Sequence, residues 1–193
     1  MKKTLLAASI VAAFSASAFA ENAFNGAYAG LSTGIVNNSA NVRDSLSNSN
    51  YDFGKSGKFG GQIFAGYSHS YGKTFNLAGN VFYGLGSNNI TAADSSIALK
   101  KVWGFSIEPG VYLADKTLAY VKLGVAKAGL KVSGANSSNT RGFLYGFGLK
   151  HMVTSNVYVG AEFQKIDFRK RSFDEVSIKP VQTYSGVTVG YKF

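Results

Sequence analysis

The chain contains no cysteine, only two prolines and two histidines, and half as many acidic as basic residues. Without cysteine there is no disulfide framework and no thiolate metal site. After the first twenty residues no apolar run approaches the about 18 residues of a spanning helix, so helical membrane insertion is excluded. What the chain does hold is 23 glycines, 15 phenylalanines and 11 tyrosines in 193 residues. Glycine with aromatics in closely spaced alternating segments is a cue for β-barrels.

The first twenty residues form a unit of their own. Lys2 and Lys3 precede an apolar stretch from Leu5 to Phe14, and Ala18-Phe19-Ala20 supplies a small-x-small cleavage site. This pattern predicts a bacterial secretory signal peptide over 1–20, leaving one mature domain over 21–193. Of 20 basic and 10 acidic residues, two basic ones fall in the leader, so the mature chain carries about +8. Such a balance suits anionic lipid headgroups or plain solubility, and export argues against nucleic acid.

From Val181 to Phe193 the odd positions are Val181, Thr183, Ser185, Val187, Val189, Tyr191 and Phe193, and the even ones include Gln182, Gly186, Gly190 and Lys192. Successive side chains of a strand point to opposite faces, so this is a strand with one greasy side. Seven earlier segments repeat the pattern. Their apolar sets run through Ala27–Ile35, Phe59–Tyr67, Phe75–Leu85, Trp103–Leu113, Ala119–Val125, Phe143–Leu149 and Val157–Phe163. Each has about the 9–11 residues that a tilted strand needs to cross a bilayer.

The complementary parity holds Gly, Ala, Ser, Asn and Gln, together with Glu108, Lys122 and Glu162, and near strand ends Lys150 and Lys192. A soluble barrel would put this set in water, where Lys, Glu and Thr are expected rather than glycine. Glycine in a strand weakens it and marks places where space is short. The interior of a narrow barrel supplies that reason, so the apolar set faces lipid and the small polar set the lumen. Connections alternate in length: Ser68–Lys73, Ala114–Thr117 and Met152–Asn156 are short, whereas Asn37–Gly57, Gly86–Ala98, Gly129–Thr140 and Arg169–Pro180 are long. Short periplasmic turns and long extracellular loops are the outer-membrane arrangement. The expected fold is therefore all-β, an eight-stranded antiparallel up-and-down transmembrane β-barrel. The Ser/Asn-rich stretch Asn37–Asn50 is expected as an exposed loop.

The leader, the eight alternating strands and the terminal Val187-x-Val189-x-Tyr191-x-Phe193 together resemble the small outer-membrane β-barrel family, which includes the OmpA transmembrane domain, OmpX and the opacity proteins and carries a porin-family label. Gly148 to Phe163 is similar to that family's last periplasmic turn and following strand. The resemblance implies a monomer in the bacterial outer membrane and reads Val189, Tyr191 and Phe193 as the signal taken up by the barrel-assembly machinery. With Phe193 closing the last strand, no OmpA-type peptidoglycan-binding domain is expected.

Two constellations are candidates for function. Glu108, Lys122, Lys150 and Glu162 point into the lumen, either as a buried ion network that fills it or as a gated polar path for small solutes. Basic residues gather at the long-loop end: Lys100, Lys101, Lys127, Lys131, Arg141, Lys165, Arg169, Lys170, Arg171 and Lys179. They form either a generic solvated rim or a girdle for lipopolysaccharide phosphates, with Lys165, Arg169, Lys170 and Arg171 as the contact candidates. Lipid-modifying barrels need His, Ser and a carboxylate near the outer leaflet. Here His69 and His151 both fall in short turns at the opposite end, so no enzyme, metal site or cofactor is expected. The functional expectation is a structural or surface-interaction role, through membrane integrity, lipopolysaccharide contact or adhesion to host or surface ligands by the loops. A narrow porin-like channel is the alternative.

Overall fold

The computed structural model describes residues 23–44, 49–85, 87–92, 95–132, 138–173 and 176–193. The expected leader and its cleavage site lie outside the described residues. Ten strands follow in chain order: β1 (Gly26–Asp44), β2 (Ser49–Tyr71), β3 (Phe75–Leu85), β4 (Ser87–Ala92), β5 (Ser95–Ala114), β6 (Thr117–Val132), β7 (Ser138–Met152), β8 (Val157–Phe168), β9 (Arg171–Phe173) and β10 (Val176–Lys192). They make eight staves, because β4 continues β3 along the same edge of β5 and β9 continues β8 along β10. All pairings are antiparallel, and β1 pairs with β10 from Tyr28↔Lys192 to Asp44↔Val176, which closes the barrel. Closure leaves the eight staves without an edge in the spanning band, the condition for a sheet to sit in hydrocarbon, while β4 and β9 beyond it each have one paired side.

Among the described residues, the long connections expected from the sequence are largely strand. Asn37–Gly57 is mostly strand, with β1 and β2 paired as far as Asp44↔Ser49, and Asn38 is buried and accepts a 3.0 Å hydrogen bond from Gln182 Nε2. The other three long connections likewise continue as hairpins: β4–β5, β6–β7 and β9–β10. Strands of up to 23 residues exceed what a bilayer requires, so the barrel extends beyond it at one end. Polar composition conceals this, because Ser and Asn favour turns while their backbones remain free to pair. At the other end the turns are as short as expected, at 72–74, 115–116 and 153–156.

The parity rule holds along the staves. Leu31, Ile63, Val81, Phe105, Val125, Phe147 and Val189 are each 48–62% exposed on the outer face, whereas Gln62, Asn80, Ser106, Lys122 and Gln164 are buried within. One break in parity was invisible to the pattern. Between Lys100↔Gly129 and Trp103↔Lys127 the β5 strand carries an extra residue, with Lys101 at φ 52°. This bulge turns Leu99 inward (1% exposed), where strict alternation from Trp103 would have sent it to lipid.

Inside, large side chains sit opposite glycines. Tyr120 pairs with Gly148, Phe64 with Gly30 and Tyr158 with Gly190. A Cβ on Gly148 would lie 2.6 Å from Tyr120 Cζ. The glycine and aromatic counts therefore have one cause: a narrow lumen admits a ring from one strand only where its neighbour has no side chain.

Candidate functional site: the filled lumen and the basic rim

The β5–β6 register (Ile107↔Leu123, Gly110↔Tyr120) sets Glu108 beside Lys122. Gly148↔Glu162 and Lys150↔Gly160 place the other two charges on adjacent β8 and β7. The four meet in the lumen. Lys150 Nζ donates to Glu108 Oε2 at 2.6 Å, Lys122 Nζ donates to Glu162 Oε2 at 2.7 Å, and Lys122 Nζ lies 3.5 Å from Glu108 Oε1. All four side chains are at least nine-tenths buried. Two acids and two bases balance, so the buried cluster is formally neutral.

Neutral inward-facing side chains complete the network. Asn80 Nδ2 donates to Glu108 Oε1 (2.9 Å), Tyr120 Oη to Glu162 Oε2 (2.6 Å) and Gln62 Nε2 to Glu162 Oε1 (3.3 Å). Gln164 Nε2 in turn donates to Gln62 Oε1 (3.3 Å). Gln62 of β2 thus reaches across the lumen to β8. The network ties β2, β3, β5, β6, β7 and β8 at one level. Lys150 also lies over the rings of Tyr120, Tyr28 and Tyr158 at 4.4, 5.1 and 5.8 Å.

Apolar side chains cap this polar layer on both sides. Toward the long hairpins Val102, Ala126, Leu144, Ile166 and Phe168 are buried. At the short-turn end Phe24 enters the mouth of the barrel, with ring centroids 6.1 Å from Tyr112 and 5.9 Å from Tyr158. Its neighbour Asn25 accepts from the Ser70 amide through Oδ1 (3.1 Å), and Ser70 Oγ bonds Tyr112 Oη at 2.7 Å. Two small voids lie inside among the described residues, about 10 Å³ beside Phe24 and Lys150 and about 30 Å³ beside Gln62 and Gln182. A water needs about 10–15 Å³ of such space, so these voids hold about one and about two waters.

On the outer surface Arg169 and Lys170 are exposed between β8 and β9, and Arg171 opens β9 opposite Ile178. Lys165 is partly engaged, 3.9 Å from Asp167 Oδ1 and 5.9 Å from the Tyr145 ring centroid. The structure therefore separates Lys165 from the Arg169–Lys170 pair by local partners. Val189, Tyr191 and Phe193 all face outward on β10, and the Phe193 amide donates to Ala27 O at 2.9 Å across the closing seam. His69 stacks edge-on against Tyr71, and His151 Nδ1 lies 2.9 Å from Thr117 Oγ1, both exposed in or beside short turns. Among the described residues no three His, Cys, Asp or Glu side chains cluster as metal ligands.

Residues 6–193 match the profile of the outer membrane protein β-barrel domain. The chain belongs to that family. Over 120 residues it is 28% identical to a 22 kDa outer membrane protein of Rhizobium leguminosarum bv. viciae, an alignment covering 60% of this chain. The chain spans 56% of that relative's length. Among solved structures it is similar to Neisserial surface protein A, with a TM-score of 0.54 and 18% identity over 88% of this chain and 100% of that one. It also aligns with Ail, the attachment invasion locus protein of Yersinia pestis, solved in complex with the heparin analogue sucrose octasulfate. There the TM-score is 0.44 and the identity 14%, over 84% and 98% of the two chains. Family membership and the closed barrel together make this an outer-membrane β-barrel protein.

Proposed function

We propose that this protein is a closed scaffold at the cell surface. Its barrel reinforces the outer membrane, and its long hairpins, held outside the cell, contact lipopolysaccharide and surface ligands. The single observation that carries this reading is the filled lumen. A neutral ion network lies between two apolar layers, and the voids described beside it are of about 10 and 30 Å³. Side chains that fill an eight-stranded barrel make it a rigid anchor. Residues 1–20 serve as the cleaved leader, and Val189, Tyr191 and Phe193 present the outward row taken up by the assembly machinery. Lys165, Arg169, Lys170 and Arg171 contribute to the lipopolysaccharide-facing rim.

A narrow channel is the second reading. It is favoured by polar side chains at several levels of the lumen, from Ser68 and Asn76 near the short turns through the ion layer to Gln182 and Asn38 toward the hairpins. Planar-bilayer recording of the refolded protein separates the two. The scaffold gives no reproducible conductance steps, whereas a stable open state would overturn it in favour of the channel.

A further inference from the structure

Among the described residues the outer wall shows three broad hollows, and two are lined without a charged side chain: one runs from Ala29 to Phe193, the other from Ile63 to Trp103. The third differs. It has a volume of about 810 Å³ and lies across β5 to β8 at the long-hairpin end. Register places Trp103 opposite Lys127 and Lys127 opposite Arg141, and the Arg169 amide bonds Arg141 O at 2.8 Å. These four residues therefore form one row across four staves. Two residues nearer the short turns, Phe105, Val125 and Phe143 form a parallel row (Phe105↔Val125, Val125↔Phe143), 48–60% exposed. Lys170 and Lys179 complete the rim. The only acid lining it, Asp167, is held by Tyr145 Oη at 3.3 Å and lies 3.9 Å from Lys165.

From this arrangement we infer that the hollow binds one phosphorylated, acylated glycolipid of the outer leaflet, namely the lipid A portion of lipopolysaccharide. Phosphate oxygens meet Lys127, Arg141, Arg169 and Lys170, and acyl chains lie on Phe105, Val125 and Phe143. The site rests on the proposed reading that this end faces outward, and it names where and how the lipid is held. Cations directly above an apolar floor match an amphiphile; a soluble anion would use the rim alone. With strands about 4.8 Å apart, a row over four staves is roughly 14 Å wide. That exceeds a single phosphate and suits a body carrying two phosphates and several chains. A one-phosphate glycerolipid would engage half of it.

Trp103 is the only tryptophan of the chain and lines the hollow, so its fluorescence reports occupancy. The refolded full chain in phosphatidylcholine nanodiscs is titrated with bisphosphorylated lipid A, dephosphorylated lipid A and phosphatidylglycerol. Bisphosphorylated lipid A should give a saturable Trp103 response, and the other two should bind at least tenfold more weakly. Lys127→Ala/Arg141→Ala should lose about tenfold or more, since each removes charge-assisted bonds. Val125→Phe, which fills the floor, should weaken binding while the rim stays intact. Lys73→Ala/Lys116→Ala, at the far end, should change nothing. Heat-modifiable gel migration confirms that each variant is folded. Equal responses to all three lipids, or full binding by folded Lys127→Ala/Arg141→Ala, overturn the site. If lipid A binds and stabilises that variant against urea as fully as wild type, the broader lipopolysaccharide contact survives while this site does not. No response and no stabilisation of the wild type removes both.

Discussion

Removal of Glu108 is the most informative perturbation of the lumen. Its two oxygens take a 2.6 Å bond from Lys150 and a 2.9 Å bond from Asn80, with Lys122 at 3.5 Å. Glu108→Ala leaves Lys122 with Glu162 but strips Lys150 of its only carboxylate, with three tyrosine rings as substitutes. Breaking a buried pair by removing one partner costs about 3–5 kcal/mol. Residual cation–π contact places this site near the low end, at ~3 kcal/mol. Lys150→Met alone should cost a similar amount, because Glu108 then keeps one distant cation. The double variant Glu108→Ala/Lys150→Met restores neutrality with the Lys122–Glu162 pair intact, and it should lie within ~1 kcal/mol of wild type. The coupling energy is then several kcal/mol, at or beyond the upper end of the usual range for residues in contact. Urea unfolding in lipid vesicles, read by heat-modifiable gel migration, supplies the four free energies. A Glu108→Ala variant within 0.5 kcal/mol of wild type, or a double variant that simply adds the two losses, would refute the pairing argument.

Other perturbations test separate parts of the structure. Gly124→Ala should destabilise by about 1–3 kcal/mol, because its Cβ would stand 2.8 Å from Ser106 Cα, and an unchanged urea midpoint would argue against so tight a wall. Phe24→Ala should cost about 1.5–3 kcal/mol by the same assay, yet leave bilayers silent, since Leu144, Ile166 and Phe168 still close the other side. Lys101→Gly should be neutral to stabilising by up to ~1 kcal/mol, because the bulge holds that residue at φ 52°; clear destabilisation would mean its side chain matters more than its backbone. Alanine at Tyr191 and Phe193 should slow assembly into the outer membrane with little change in the stability of barrels once formed, measured by pulse-chase of the heat-modifiable form.

Much of this fold was legible because a barrel in lipid forces one rule on every residue. Leu31 and Val189 face outward and Gln62 and Lys122 inward for the same reason, and two-residue periodicity states it directly. The charges of the network were legible as a set, since a charge in a spanning strand has only the lumen to enter. Their pairing was not. Whether Lys150 reaches Glu108 or Glu162 depends on the stagger between strands, which no single strand encodes. The Leu99 inversion was hidden because a bulge is one extra residue in an unbroken pattern. The hairpins were misread as loops because past the bilayer the apolar face disappears, and with it the signal, while backbone pairing continues.

The seam between β1 and β10 bears on how the barrel comes to exist. Seventeen register pairs join strands separated by nearly the whole barrel sequence. Until β10 arrives, β1 offers a long row of unsatisfied amides and carbonyls, with Leu31 and Ile35 beside it, to any other strand it meets. Local hairpins such as β2–β3 and β5–β6 form quickly, whereas the seam waits on a closure of high contact order. The vulnerable interval for this chain is therefore the one before closure, when it is sticky along one edge. Once the edges meet, the same hydrogen bonds that made it prone to aggregate make it hard to unzip.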